Sequence, residues 1–486
     1  MSFNSVGFLI FLPVTVIVSR ILPVKVRWVW LLAASYFFYM SWRPEMALLI
    51  FSVTLVSYLG GLIAGNRQGQ KAAKLAAALA CILCGGALVY FKYFGFIAEN
   101  INRIAQGTVL TVPDVILPVG ISFYTFQAMG YVIDVARGNI SAEKHFGYYA
   151  LFVSFFPQLV AGPIEKAEVL IPQLRAPAKL TYDSVCSGLG MILIGFFKKI
   201  AVADMIAGPV NAIFADPAAA GSGFTALGAV LFAIQILCDF SGYTDIAAGS
   251  AELLGVKLSK NFDRPYFAAG IGDFWRRWHI SLSGWLRDYI YIPLGGSRKG
   301  GFRTAVNLLA VFLISGLWHG AAWHFVVWGL LHGLLVLIDR FTLKMRNSMW
   351  KKAGLEPEGG IVKNLRRIAT FLAVCFLWIF FRAESMTGAF KIIAEIFSFK
   401  GGSAAGIFGG TWNVIIMLAG IGVIFLSETG RAGLSIPSGE SLAVSKKPPM
   451  KLIAPAAVIV MIWTVVLAWL LLYANSAGSA FIYFVF

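Results

Sequence analysis

Residues 261–303, NFDRPYFAAGIGDFWRRWHISLSGWLRDYIYIPLGGSRKGGFR, run through three further residues into the apolar stretch 307–333, NLLAVFLISGLWHGAAWHFVVWGLLHG. Four of the five histidines of the chain lie here (His279, His319, His324, His332), with six of its fourteen tryptophans. The first half mixes Arg276, Arg277 and Arg287 with Phe274, Trp275, Trp278, Trp285, Tyr289 and Tyr291, a composition suited to the boundary between lipid and cytoplasm. It is expected to lie on the membrane or dip into it. The second half has no Lys, Arg, Asp or Glu from Ala305 to Ile338, which is too long for one untilted span. Nine Lys and Arg between Lys257 and Arg303 precede it, and eight between Arg340 and Arg367 follow it. Basic loops stay on the cytoplasmic side, so the segment must enter and return as a hairpin. Reversal in GLWHGAAW (316–323) gives arms of about 15 residues, roughly 22 Å against a hydrocarbon core of about 30 Å. His319 is then expected inside the membrane, where a non-helical backbone needs a protein-lined or watery cavity around it.

Composition agrees with a membrane solvent. The 486 residues are 59% hydrophobic and only 13% charged, with a formal net charge of +17. The fold class expected is an all-α polytopic integral membrane protein, read as one membrane domain over 1–486 with its core motif region at 239–338. The positive charge sits in loops beside apolar runs, where it signals topology and attracts anionic lipid, so membrane lipids are expected partners and nucleic acid is not. The five cysteines lie in or beside apolar segments, and Cys81-Ile-Leu-Cys84 reads as small packing residues rather than a redox pair.

In chain order, no basic region precedes the first apolar run, which disfavours a cleaved signal peptide, and Arg20, Lys25 and Arg27 hold the first loop inside. Further apolar runs fall near 28–42, 46–64, 75–91, 113–133, 147–164, 184–203, 222–238, 369–381, 411–427 and 452–474. With the hairpin this gives roughly 11–13 membrane segments, some of them broken or re-entrant, around a central catalytic tunnel. The stretch 200–216, IAVADMIAGPVNAIFAD, is polar and interrupted, and a short re-entrant or surface helix there restores the alternation of sides. No internal repeat is visible.

Polar residues inside the apolar runs are costly and mark candidate interior positions. They are Gln127, Gln158, Asp239, Tyr243 and Asp245, the expected tunnel lining, together with Glu165. For the two glutamines interhelical hydrogen bonding is the favoured account. Motif chemistry excludes much: there is no GxxxxGK[ST], no HExxH and no GxSxG. His319 and His324, five apart, do not share a helix face, and no metal is expected. What remains is an imidazole base in a dry cavity, with His319 at the GLWHG break as the leading candidate and His324 and His332 as structural residues.

NFDRPYFAAGIGDFWRRWHISLSGWLRDYIYIPLGGSR followed by GLWHGAAWHFVVWGLLHG resembles the membrane-bound O-acyltransferase family, in particular its branch for alginate O-acetylation. PVGISFYTFQ, FFPQLVAGPIE, DFSGYTDIAAGSAELLG, LWIFFRA and the closing FIYFVF are similar to the same branch, so the likeness spans essentially the whole chain. The resemblance implies catalytic residues His319 (the invariant position) and His279 (the Asn/Asp/His position). Asp263 stands where Asn is expected. It further implies acetyl-CoA as the cytosolic acyl-donor substrate, met by a cofactor-binding set of Arg264, Arg276, Arg277, Arg287, Arg298, Trp275 and Trp278. The expected location is the bacterial cytoplasmic (inner) membrane, multi-pass. Expected partners are an acyl carrier or acetyl-CoA and a periplasmic SGNH-type acetyltransferase or polysaccharide synthase complex. Alginate, peptidoglycan and cellulose all remain open as acceptors. D-alanyl transfer from a carrier protein to teichoic acid is the alternative inside the family. A polysaccharide or lipid transporter, or an export scaffold, is the alternative outside it.

Overall fold

The computed structural model describes residues 1–429 apart from Pro113 and 404–405. Among the described residues every regular element is a helix. Seven helices are long and apolar enough to cross a membrane: Met46–Asn66, Lys71–Ala105, Tyr182–Ala215, Pro217–Leu253, Gly300–His319, Trp323–Lys352 and Gly360–Arg382. Val6–Ile21 and Thr411–Ser427 are shorter apolar helices. This is an all-α polytopic membrane protein. The expected segment at 452–474 and the FIYFVF terminus lie outside the described residues.

The chain packs as two compact units. One comprises Met1–Phe196 and Tyr243–Ser259; the described part of the other comprises Phe197–Gly242 and 260–429. In the first unit, helices approach closely where side chains are small. A Cβ on Gly60 would stand 2.6 Å from that of Ala80, and one on Gly61 2.5 Å from the Tyr131 ring. Without a hydrophobic drive between helices in lipid, such close backbone contact is the source of packing energy. A helix break falls at Phe155, just before Pro157, and separates Phe146–Ser154 from Phe156–Leu159; the Phe156 N–H freed by the break donates to Ser35 Oγ at 3.1 Å. Arg20 donates to the Leu253 carbonyl at 2.8 Å, placing a cation on the C-terminal end of a long helix.

In the second unit, the hairpin forms as expected but its arms are longer. Gly300–His319 and Trp323–Lys352 have 20 and 30 residues, roughly 30 and 45 Å, joined through residues 320–322. The apolar run understated them because helix continues into both basic flanks, where Arg303 and Arg340 reach out along the helix surface. A 20-residue arm matches the full hydrocarbon thickness, so, contrary to expectation, arm length does not hold His319 inside the membrane. The arms cross through glycines: a Cβ on Gly316 would lie 2.3 Å from the Phe325 carbonyl oxygen, and one on Gly329 2.3 Å from that of Phe312.

The stretch 200–216 also departs from expectation. Instead of a re-entrant or surface helix, Tyr182–Ala215 runs as one helical segment, with a π-helical insert at Phe197–Asp204. The insert brings Lys199 to a solution for its charge: Nζ lies 2.7 Å from Asp239 Oδ1 and 2.9 Å from Asp204 Oδ1, with the Lys199 side chain fully buried. Hydropathy alone reads Asp204 as part of a break; paired with Lys199, it is carried inside a span.

Candidate active site

His279 sits where two short helices meet. Ile271–Arg277 ends as Trp278 becomes extended, and His279, at φ +45° and ψ +54°, starts Ile280–Leu286 by accepting the Ser283 N–H at 3.0 Å on its carbonyl. A non-glycine residue in the left-handed region costs about 1–2 kcal/mol, and such strain gathers at functional sites. The position is over-determined by Asn261. The Asn261 carbonyl accepts the Ile280 N–H at 3.0 Å. Its Oδ1 lies 3.3 Å from His279 Nδ1 and accepts from the Ser281 N–H at 3.2 Å and the Ser281 hydroxyl at 2.9 Å. Both His279 and Asn261 are buried, and burial pushes the imidazole of His279 down to about 3.

His319 is the last residue of its helix, and Gly320 continues extended, with φ −165°. A side chain at 320 is excluded, since a Cβ there would stand 2.1 Å from the Phe325 ring. The buried His319 ring lies 6.4 Å from that of His279, centroid to centroid. Trp318 borders both, at 5.5 Å from His279 and 4.9 Å from His319. Phe240 covers His279 at 4.8 Å; Trp328 and Phe381 cover His319 at 5.0 and 5.3 Å. The two candidate histidines are thus brought together, within one compact unit, in an aromatic shell.

The other two histidines of the block have structural partners. His324 Nδ1 lies 3.0 Å from the Phe380 carbonyl, to which it donates. His332 Nδ1 accepts the Trp275 indole N–H at 3.2 Å. Trp275 and Trp278 are themselves buried, in an aromatic cluster with Phe274, Trp328 and Trp378. The arginines lie outward: Arg264, Arg276, Arg287 and Arg298 are exposed and Arg277 half-buried. Asp263 stands 3.6 Å from Arg264, Asp273 3.4 Å from Arg276 and 3.1 Å from Arg277, and Asp288 2.8 Å from Arg287. The Lys260 ammonium hydrogen-bonded to Asp263 holds that carboxyl below its usual range.

Of the expected tunnel residues, Asp239 belongs to the unit of the histidines and is the partner of Lys199. Gln127, Gln158, Tyr243 and Asp245 belong to the other unit. There Gln127 and Gln158 both donate to the Phe152 carbonyl, at 2.7 and 3.1 Å, and Gln158 donates to Gln127 at 3.2 Å. Tyr243 is buried and stacks on Phe3 at 4.4 Å; Asp245 is half-buried. Glu165 receives the Ser259 N–H and hydroxyl, while burial raises its carboxyl above the usual range. Sequence reasoning missed Asn261 and Lys199. Asn261 had a signal in its place at the head of the motif, but a hydrogen bond across 18 residues has no periodicity to betray it. Among the described residues no three His, Cys, Asp or Glu side chains converge as a metal-ligand set.

A multi-pass helical membrane protein with two buried, adjacent imidazoles and no hydrolase elbow has the make-up of a membrane-embedded group-transfer enzyme. Comparison with known proteins gives the class its name: the pattern of the membrane-bound O-acyltransferase family matches residues 140–381. The chain is 37% identical over 446 residues to the probable alginate O-acetylase AlgI of Pseudomonas aeruginosa, covering 90% of this chain and 78% of that protein. It is 35% identical over 399 residues to the peptidoglycan O-acetyltransferase of Helicobacter pylori, 76% of this chain and 74% of that one. Similarity to the teichoic acid D-alanyltransferase of Bacillus subtilis is lower, 29% over 271 residues, 53% of this chain and 67% of that one. The chain belongs to the membrane-bound O-acyltransferase family and is an O-acyltransferase.

Proposed function

We propose that this enzyme moves acetyl groups from cytosolic acetyl-CoA to hydroxyls of an extracytoplasmic polysaccharide across the bacterial inner membrane. The observation that carries the reading is the buried His279–His319 pair, 6.4 Å between ring centroids. Its support from likeness is that the more similar relatives are named for O-acetylation of alginate and of peptidoglycan, whereas the D-alanyltransferase is more distant.

In the reaction, the acceptor oxygen attacks the thioester carbonyl carbon, forming a C–O bond as the C–S bond breaks. His319 takes the hydroxyl proton and returns it to the departing thiolate, so the enzyme ends unchanged. His279 completes the centre beside it. The aromatic shell keeps out bulk water, which would otherwise hydrolyse the thioester. The exposed Arg264, Arg276, Arg287 and Arg298, with Arg277, receive the donor's phosphates, and Trp275 and Trp278 stiffen the wall beneath them. Asp239, in the unit of the histidines, is assigned to the wall of the acceptor's route. The glycan is delivered directly, or the acetyl group passes to a periplasmic SGNH-type transferase or a polysaccharide synthase complex.

Purified protein in sealed vesicles tests the reading. Labelled acetyl-CoA is supplied on the cytoplasmic face and alginate or peptidoglycan fragments only on the other. Labelled acceptor on the far side is the expected result, its rate cut about 10²–10⁴-fold by His319→Gln. Product formed only when both substrates share the cytoplasmic face would make this a one-sided acetyltransferase. Label taken only from a carrier-protein thioester of D-alanine would move it to the alternative branch.

A further inference from the structure

We infer that Asn261 is a positioning residue that fixes the tautomer of His279, making Nε2 the ring's proton-accepting nitrogen. The inference rests on the proposed acyl transfer and deepens it. The assignment follows from donors and acceptors. The Ser281 backbone N–H, which can only donate, points at one side-chain atom of Asn261 at 3.2 Å, so that atom is the oxygen and the amide orientation is decided. The same oxygen faces His279 Nδ1 at 3.3 Å and the Ser281 hydroxyl at 2.9 Å. An oxygen cannot donate to Nδ1, so Nδ1 carries the hydrogen, and in a neutral imidazole Nε2 then bears the lone pair. Burial keeps the ring neutral, and the left-handed backbone at His279 holds it in one place.

The consequence concerns chemistry. A histidine that polarised the thioester carbonyl would have to donate to it, but neutral His279 has no hydrogen on Nε2 to donate. It accepts instead: its place is on the acceptor hydroxyl or on a proton held by His319. The titratable group facing the His279 ring is His319. Asp239, beside Phe240, pairs with Lys199, and Asp263, near Asn261, with Lys260. Asp273, on the preceding helix, pairs with Arg276 and Arg277.

Two measurements test this. Asn261→Asp keeps the oxygen but places a negative charge against Nδ1–H, which favours the imidazolium; the acid limb of kcat/KM should therefore move to higher pH than in the wild type. Asn261→Leu should lower kcat roughly 10–100-fold with the donor KM within about threefold, as loss of an orienting partner does elsewhere. Should the leucine variant fail to fold, solid-state NMR of 15N-histidine-labelled wild type decides directly, His279 being assigned by the signal missing in His279→Gln. A protonated Nδ1 and bare Nε2 are expected. A protonated Nε2, or superimposable pH profiles for wild type and Asn261→Asp, would overturn the inference while leaving the acyl-transfer reading intact. That reading falls separately, if His279→Gln and His319→Gln both retain wild-type turnover.

Discussion

The rings of His279 and His319 lie 6.4 Å apart with Trp318 against both, although 40 residues separate them and each ends up at a helix terminus. Termini, unlike helix interiors, let a side chain be aimed by the backbone that follows it. Positioning of this kind predicts a kinetic signature. His319→Gln should lower kcat by about 10²–10⁴, the usual worth of general acid–base catalysis, with little change in donor KM, because the donor's phosphates are held elsewhere. His279→Gln should lose less, since the amide oxygen still accepts a hydrogen bond. Single-turnover acetyl transfer in detergent separates these effects from binding. A rise in donor KM at constant kcat for His319→Gln would move that residue out of the chemistry.

The glycine crossing in the hairpin predicts a structural effect of unusual size for one methyl group. Gly316→Ala and Gly329→Ala each push a Cβ to 2.3 Å from a carbonyl oxygen of the other arm, which a rigid backbone cannot yield to. Losses of about 1–3 kcal/mol or more are expected. Both variants should show lower unfolding temperatures in detergent, and both should disturb activity because His319 terminates one arm. Gly301→Ala, on the same helix but at a position where a Cβ would meet only the Phe341 ring at 3.7 Å, is the control. Cysteines placed at Ser297 and Asn347 should both label from the cytoplasmic face, as the basic flanks require.

Much of this could be read in the sequence, and the limits have physical causes. The hairpin was legible because charge is expensive in lipid: a 34-residue run without Lys, Arg, Asp or Glu between basic flanks admits few other shapes. Its arm lengths were not, because Lys and Arg tolerate helix and hydropathy stops counting where they begin. The π-helical insert at Phe197–Asp204 was illegible for a related reason: Lys199 and Asp204 read as breaks until Lys199 is seen to pair with both Asp204 and Asp239, the latter 40 residues on. His279 and His319 stood out by residue type and place. Asn261 did not, since an amide at the edge of a motif looks like a turn residue until its oxygen is seen to take three donors.

The Lys199 pair gives a prediction that runs against intuition about charge. Lys199→Met leaves Asp239 and Asp204 without the buried cation and should cost about 3–5 kcal/mol, seen as poor yield or early unfolding. Adding Asp239→Asn and Asp204→Asn to Lys199→Met removes the stranded charges and should recover most of the loss, since replacing a buried ion cluster whole is far cheaper than breaking it. Strict additivity of the single losses would show that the three residues do not interact.

Protonation of His279 supplies the final prediction. Its imidazole is pushed down to about 3 by burial, against an ordinary value near 6.5 in an unfolded chain. Between those two values the unfolded state binds a proton that the folded state refuses, so stability falls as pH is lowered from about 6.5 towards 3 and is unaffected by this group above 6.5. The limiting slope for one proton is about 1.4 kcal/mol per pH unit. Glu165 works in the opposite sense, because its carboxyl is held above the usual range: its contribution is present at low pH and lost as pH rises through that range. The two are separated by subtraction. The stability of wild type minus that of His279→Gln, followed by unfolding in detergent, should decline as pH drops from 7 to 4 while the Glu165 contribution cancels. A difference that stays flat across that window would mean that His279 takes its proton in the folded enzyme as readily as in the unfolded chain.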